Sequence, residues 1–150
     1  MKIRVGIQQR VIPTYRAPFL ELLAKDPEMD LGVIAGEPRP MERISTVHQL
    51  AGAEYSLIEN QHFLNGKFYF CIQPRLKDWV LKWQPDILIV EANPRYLSTP
   101  EAIKWMKKKG KPVIGWGLGV PQNSGILSFF RNNSRRQFLN SFTAMIAYSQ

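Results

Sequence analysis

The sequence predicts an α/β fold: a doubly wound, mostly parallel, Rossmann-like sheet of about six strands with helices on both faces. Three observations lead there. Strand signals alternate with helix signals along all 150 residues, as in parallel strands joined by crossover helices. Ile87-Leu88-Ile89-Val90 is apolar on both of its faces, which suits a strand in a sheet covered on both sides. The eleven prolines and ten glycines stand as punctuation between apolar runs and form no low-complexity tract.

The elements follow in order. Ile3 to Gln8 alternates as a first strand. After a polar turn, Pro18 stands where a helix start tolerates it, with Phe19, Leu22 and Leu23 at helical spacing. Leu31 to Ala35 reads as a second strand closed by Gly36-Glu37-Pro38. A weaker helix signal covers Glu42 to Leu50, and Tyr55 to Ile58 reads as a third strand. The aromatic stretch over 60–72 reads as an extended excursion at the sheet edge. From about Pro74, the face Leu76, Trp79, Val80, Trp83 predicts a helix that must end before Pro85. The apolar strand follows. Ser98-Thr99-Pro100-Glu101 then offers hydroxyl caps, an early proline and a capping glutamate. That helix carries Ile103 and Met106 inward and ends in Lys107-Lys108-Lys109 before Gly110. The lysines complement the helix dipole and read as a solvated face. Pro112 to Trp116 is the fifth strand, ending in Gly117-Leu118-Gly119. Ile126 to Phe142 reads as a basic helix with Leu127, Phe130, Phe138 and Phe142 on one side, and Ala144 to Tyr148 as a final strand.

Composition narrows the classes. The chain has the length of one domain, 1–150, and 45% hydrophobic with 21% charged residues is ordinary for a soluble globule. No apolar stretch approaches the ~20 residues that span a bilayer, and the N-terminus lacks the apolar core of a signal peptide. One cysteine, Cys71, excludes an internal disulfide and fits the cytoplasm. Lying among Phe68, Tyr69, Phe70 and Ile72, it reads as a buried packing thiol. The net charge of +8 is uneven: residues 1–75 hold nine Lys/Arg and eight Asp/Glu, residues 76–150 eleven and four. A basic second half suggests an anionic partner such as a phosphate ester, an acidic lipid headgroup or nucleic acid. Nucleic acid is disfavoured, because the aromatics sit in apolar runs and are not interleaved with lysines.

The search for chemistry is largely one of exclusion. His48 and His62 have no cysteines or carboxylates at metal-ligand spacing. No phosphate-loop signature, no G-x-S-x-G elbow and no G-x-G-x-x-G after the first strand is present. Gln9-Arg10-Val11-Ile12-Pro13 stands where a dinucleotide site needs glycines, so an NAD enzyme is rejected and no cofactor is expected. What remains is a set of polar and aromatic residues at strand ends, converging on one rim. After the first strand come Gln9, Arg10, Tyr15 and Arg16; after the second, Glu37; after the fourth, Glu91, Asn93, Arg95 and Tyr96; after the fifth, Trp116, Gly117 and Gly119. Amide, carboxylate, guanidinium and ring groups suit a polyhydroxylated ligand. Each also has a plainer reading. Glu91 reads equally as a helix cap or an arginine partner, Asn93-Pro94 as turn chemistry, Arg95 and Tyr96 as surface cover, and Trp116 as core.

Arg10-Val11-Ile12-Pro13-Thr14-Tyr15-Arg16-Ala17-Pro18-Phe19, Ala35-Gly36-Glu37-Pro38, Gln84-Pro85-Asp86, Glu91 to Ser98, Trp116-Gly117-Leu118-Gly119 and Ala147-Tyr148-Ser149 carry a resemblance, in order and across essentially the whole chain. They resemble the N-terminal domain of the family-four glycosyltransferases, which have the GT-B fold of two facing Rossmann-like domains. The resemblance implies an acceptor-binding half of a retaining hexosyltransferase in polysaccharide or glycolipid assembly. A saccharide or glycolipid acceptor would bind here, and a nucleotide-sugar only together with a C-terminal donor domain that this chain is expected to lack. By the same resemblance the chain alone would not turn over, and no residue in it is assigned as catalytic. Two departures stand out: the first turn lacks the family's glycine pair, and Leu118 stands where many relatives carry a histidine that contacts donor sugar. The expected location is the cytoplasm, with contact at the inner face of an anionic membrane through the basic segment as a further expectation. A non-catalytic flavodoxin-like ligand-binding or interaction domain is the alternative.

Overall fold

Val5 and Ile7 project to one face of the first strand and Gly6 and Gln8 to the other, and this parity organises the whole sheet. The computed structural model describes residues 1–117 and 126–147, backbone only over 126–132. In chain order the elements are β1 (Ile3–Gln8), α1 (Ala17–Leu23), β2 (Met29–Gly36), β3 (Glu54–Ile58), β4 (Gln61–Phe63), β5 (Phe70–Ile72), α2 (Leu76–Trp83), β6 (Ile87–Glu91), α3 (Thr99–Lys108), β7 (Val113–Gly117), α4 (Ile126–Leu139) and β8 (Ala144–Ala147). Six strands form one parallel sheet in the order β3-β2-β1-β6-β7-β8. Numbered within that sheet, the order is 3-2-1-4-5-6, the Rossmann order, which reverses direction between β1 and β6. A flavodoxin-like sheet would run 2-1-3-4-5.

Register carries the parity across the sheet. Val5 lies between Leu31 and Ile87, and Ile7 between Val33 and Ile89. This face buries Val5, Ile7, Leu31, Val33 and Ala35 beneath Ala17 and Leu20 of α1 and Leu50. The opposite face buries Ile34, Leu88, Val90 and Val113 beneath Trp79, Val80 and Trp83 of α2 and Ala102, Ile103 and Met106 of α3. Phe138 and Phe142 pack on the same cluster. Glycines make this second interface close: a Cβ on Gly32 would lie 2.4 Å from the Trp83 ring and one on Gly6 3.0 Å from Trp79. The two indoles stack at 5.3 Å and 4° over the space these glycines leave.

Four expectations need correcting. The helix expected over Glu42 to Leu50 is absent; only a 3₁₀ turn, Pro40–Glu42, forms. The following backbone pairs with the segment after β1 instead: Thr14 N–H donates to the Ser45 carbonyl (3.0 Å) and Val47 N–H to the Ile12 carbonyl (3.1 Å). Residues so paired cannot also form a helical ladder. The 60–72 stretch is no edge excursion but an antiparallel hairpin, β4–β5, outside the main sheet. Its Cys71 N–H donates to the Arg95 carbonyl (2.9 Å) and its Cys71 carbonyl accepts from Leu97 N–H (3.0 Å), tying it to the loop after β6. Ser98 does not cap α3, because its Oγ accepts the Gln73 N–H (2.9 Å), and Glu101 pairs with Lys77 (2.7 Å) on the surface. Lastly, α4 ends at Leu139, not Phe142. Gln84, at φ 51°, closes α2 before Pro85. The expectations at Leu118, Gly119 and Tyr148, and the side chains of Leu127 and Phe130, lie outside the described residues.

Candidate functional site

The carboxyl ends of β1 and β6 lie side by side at the point of reversal, where open α/β sheets form their crevice. Gln8 is the last residue of β1, and strand parity turns it inward, where it is fully buried. A buried amide must be hydrogen-bonded. Gln8 Nε2 donates to Gln73 Oε1 (2.5 Å), and Gln8 Oε1 accepts the Glu91 N–H (3.2 Å). Gln73 Nε2 in turn donates to the Gln9 carbonyl (3.1 Å) and to Asn60 Oδ1 (2.9 Å). Asn60 Nδ2 donates to the carbonyls of Arg10 (2.7 Å) and Glu37 (2.9 Å). Three amides thus knit the ends of β1, β2 and β6 to the segments flanking the hairpin.

Upon this floor stands a ring of charge. Arg10 N–H donates to Glu91 Oε2 (2.8 Å), and Tyr96 O–H reaches Glu91 Oε1 (3.4 Å). The Arg10 guanidinium pairs with Glu42 Oε2 (2.7 Å), whose other oxygen takes Arg39 Nη2 (2.9 Å). Burial alone would raise the Glu42 carboxyl, but donors from Arg10 and Arg39 outweigh it and hold it at about 2. For Arg10, burial opposes the charge; the Glu42 hydrogen bond and the nearby Tyr96 and Tyr69 overcome it and raise the pKa. Tyr69, beneath the Arg39 guanidinium at 4.3 Å, is pushed up to about 12, by burial first. Tyr96 is raised by burial and then by the Glu91 charge.

Beside the ring, Arg16 donates to the Gln9 side-chain oxygen. Its guanidinium lies 5.0 Å over the Trp116 ring and 5.7 Å from the Tyr15 ring. Trp116 is the register partner of Glu91 and meets Phe19 edge-on at 6.1 Å. So Gln9, Arg10, Arg16, Glu91, Tyr96 and Trp116 are linked by contacts at the reversal point, with the exposed Tyr15 at its margin. Gly117 ends β7 against Ala92, where an added Cβ would lie 3.2 Å from the Ala92 Cβ.

The remaining residues read from the sequence do other things. Glu37 turns to Thr46 Oγ1 (3.0 Å) and His48 Nε2 (2.8 Å). Asn93 is turn chemistry: its Oδ1 accepts the Arg95 N–H (3.1 Å). The Arg95 side chain is exposed, and no side-chain partner for it occurs among the described residues. Tyr96 is buried against Tyr69 and Cys71, and is not surface cover. Gln8, Asn60, Gln73, Glu42, Arg39 and Tyr69 were not anticipated. One signal was available for the first three: amides bracketing apolar runs, where burial forces them to find partners. Cys71 is fully buried with Tyr69 and Tyr96, and burial pushes its thiol up. Among the described residues no group of three or more His, Cys, Asp or Glu is placed to hold a metal ion, and no helix is long and apolar enough to cross a membrane.

The fold defines an α/β protein of Rossmann strand order, with amides, carboxylates, guanidinium groups and rings gathered where that order reverses. No protein-family model and no curated protein matches the chain. Among solved structures it is similar to a conserved protein from Enterococcus faecalis V583, at 12% identity and a TM-score of 0.50, over 99% of this chain and 92% of that one. That likeness is one of fold.

Proposed function

We propose that the chain is the acceptor-binding domain of a retaining GT-B glycosyltransferase, holding a saccharide or glycolipid while a second Rossmann-like domain presents the nucleotide-sugar. The observation that carries this reading is the linked set Gln9, Arg10, Arg16, Glu91 and Trp116 at the reversal point of a Rossmann-ordered sheet. Carboxylate oxygens accept sugar hydroxyls, guanidinium groups donate to ring and glycosidic oxygens, and an indole face packs on the C–H face of a pyranose, while the buried Gln9 amide holds Arg16. Catalysis of glycosyl transfer needs groups poised around a departing diphosphate, and in this reading the donor domain supplies them. An acidic membrane surface is an added partner in the same reading, through the basic second half.

Calorimetric titration with neutral oligosaccharides, nucleotides and flavins tests it. Saccharide binding with indifference to free nucleotide and flavin is expected. Tight binding of flavin or bare nucleotide would instead mark a non-catalytic ligand-binding domain.

A further inference from the structure

In nucleotide-binding sheets of this strand order, a phosphate sits at the turn after the first strand and takes backbone N–H groups there. Here that turn is Gln9-Arg10-Val11-Ile12, and two features change its use. Val11 and Ile12 are buried, so apolar side chains fill space that glycines would leave open. The first N–H past the strand, that of Gln9, donates to the Ile34 carbonyl (3.1 Å), and the next, that of Arg10, is taken at 2.8 Å by Glu91 Oε2. Glu91 Oε1 faces the Tyr96 hydroxyl at 3.4 Å. A carboxylate therefore occupies a two-donor cradle of the kind that would receive a ligand's anionic oxygens. Its backbone is pinned as well, because Glu91 N–H donates to the buried Gln8 Oε1. The anion of this crevice belongs to the protein.

From this geometry we infer that Glu91 is the specificity-determining residue of the crevice: it stands in the phosphate position, repels ligand phosphates, and directs the site toward hydroxyl donors. The inference rests on the proposed reading of the rim as the ligand site, and it narrows the substrate class to the uncharged, hydroxyl-bearing part of an acceptor. A carboxylate has about four lone-pair sites on its two oxygens. Two are engaged by Arg10 and Tyr96, which leaves acceptor capacity for hydroxyls. A second anion brought against it meets like-charge repulsion at partly dehydrated range. The Arg10 charge is balanced by Glu42, and the Arg16 guanidinium is turned to the Gln9 side-chain oxygen and the Trp116 ring.

The test uses the full chain and two variants, Glu91→Ala and Glu91→Gln, followed by amide proton–nitrogen correlation spectra. Glu91→Ala frees the cradle; Glu91→Gln keeps the shape and an acceptor oxygen for the Arg10 N–H, and serves if the alanine variant does not fold. The probes are pyrophosphate and maltose. The wild-type Arg10 amide is expected not to respond to pyrophosphate; Glu91→Ala should bind it at least about tenfold more tightly with the Arg10 amide shifting, and Glu91→Gln, which still holds the Arg10 N–H, should gain affinity through the lost charge alone. Maltose affinity is expected to fall in both variants. Pyrophosphate binding to the wild type at Arg10, or no gain in either folded variant, overturns the inference. A gain for pyrophosphate with no maltose response in any protein sustains the role of Glu91 in excluding anions while removing the saccharide reading.

Discussion

Glu42 lies mostly out of water between Arg10 and Arg39, and the energetics of the rim turn on it. Its carboxyl is held at about 2 against an ordinary 4.5. A depressed folded-state value stabilises the fold above the unfolded value, and that contribution is lost as pH falls from about 4.5 toward 2. Glu42→Gln should cost about 2 kcal/mol at neutral pH in urea unfolding. It should also flatten the loss of stability across that acid window, and an unchanged acid profile would contradict the assignment. Gln73→Leu should cost about 1–3 kcal/mol, since Gln8, Asn60 and the Gln9 carbonyl each lose a buried partner. A buried thiol with a raised pKa should be slow to react, so Cys71 should resist a thiol reagent until the chain unfolds. The sequence announced Arg10, Arg16 and Glu91 by their position after strands. It could not announce Glu42 or Arg39, because their roles depend on a loop path that no periodicity encodes.

Among the elements, α2 shows the clearest passage from pattern to packing. Leu76, Trp79, Val80 and Trp83, at helical spacing in the sequence, are its buried face. What the pattern does not contain is the reason two indoles fit so close to a sheet. That reason is Gly6 and Gly32 on the facing strands. Gly32→Ala should cost about 1–3 kcal/mol by overpacking, seen as a lower melting temperature; a neutral substitution would show that Trp83 moves freely. The segment after β2 misled for a physical reason. In place of the weak helix over Glu42 to Leu50, an irregular strap sends its backbone bonds to residues 12 and 14 and packs Val47 and Leu50 on the sheet. The hairpin was legible as extended chain, and its place was not, since tethering through Cys71 and Asn60 joins residues far apart in sequence.

For the molecule as a whole, the alternation of elements was enough to predict a parallel sheet with helices on both faces. The order of strands was not readable, because parallel strands of similar composition differ only in which neighbours they bury. That order matters most for function, since it sets Glu91 beside Arg10. If the rim holds an acceptor while chemistry depends on a separate donor domain, this chain by itself should release no sugar from a nucleotide-sugar, as a coupled nucleotide-release assay would report. The most direct measurement is a map of amide shifts on titration with a neutral oligosaccharide. The account predicts perturbations concentrated at Gln9, Arg10, Arg16, Glu91 and Trp116. Perturbations confined to other surfaces, with these five silent, would contradict it.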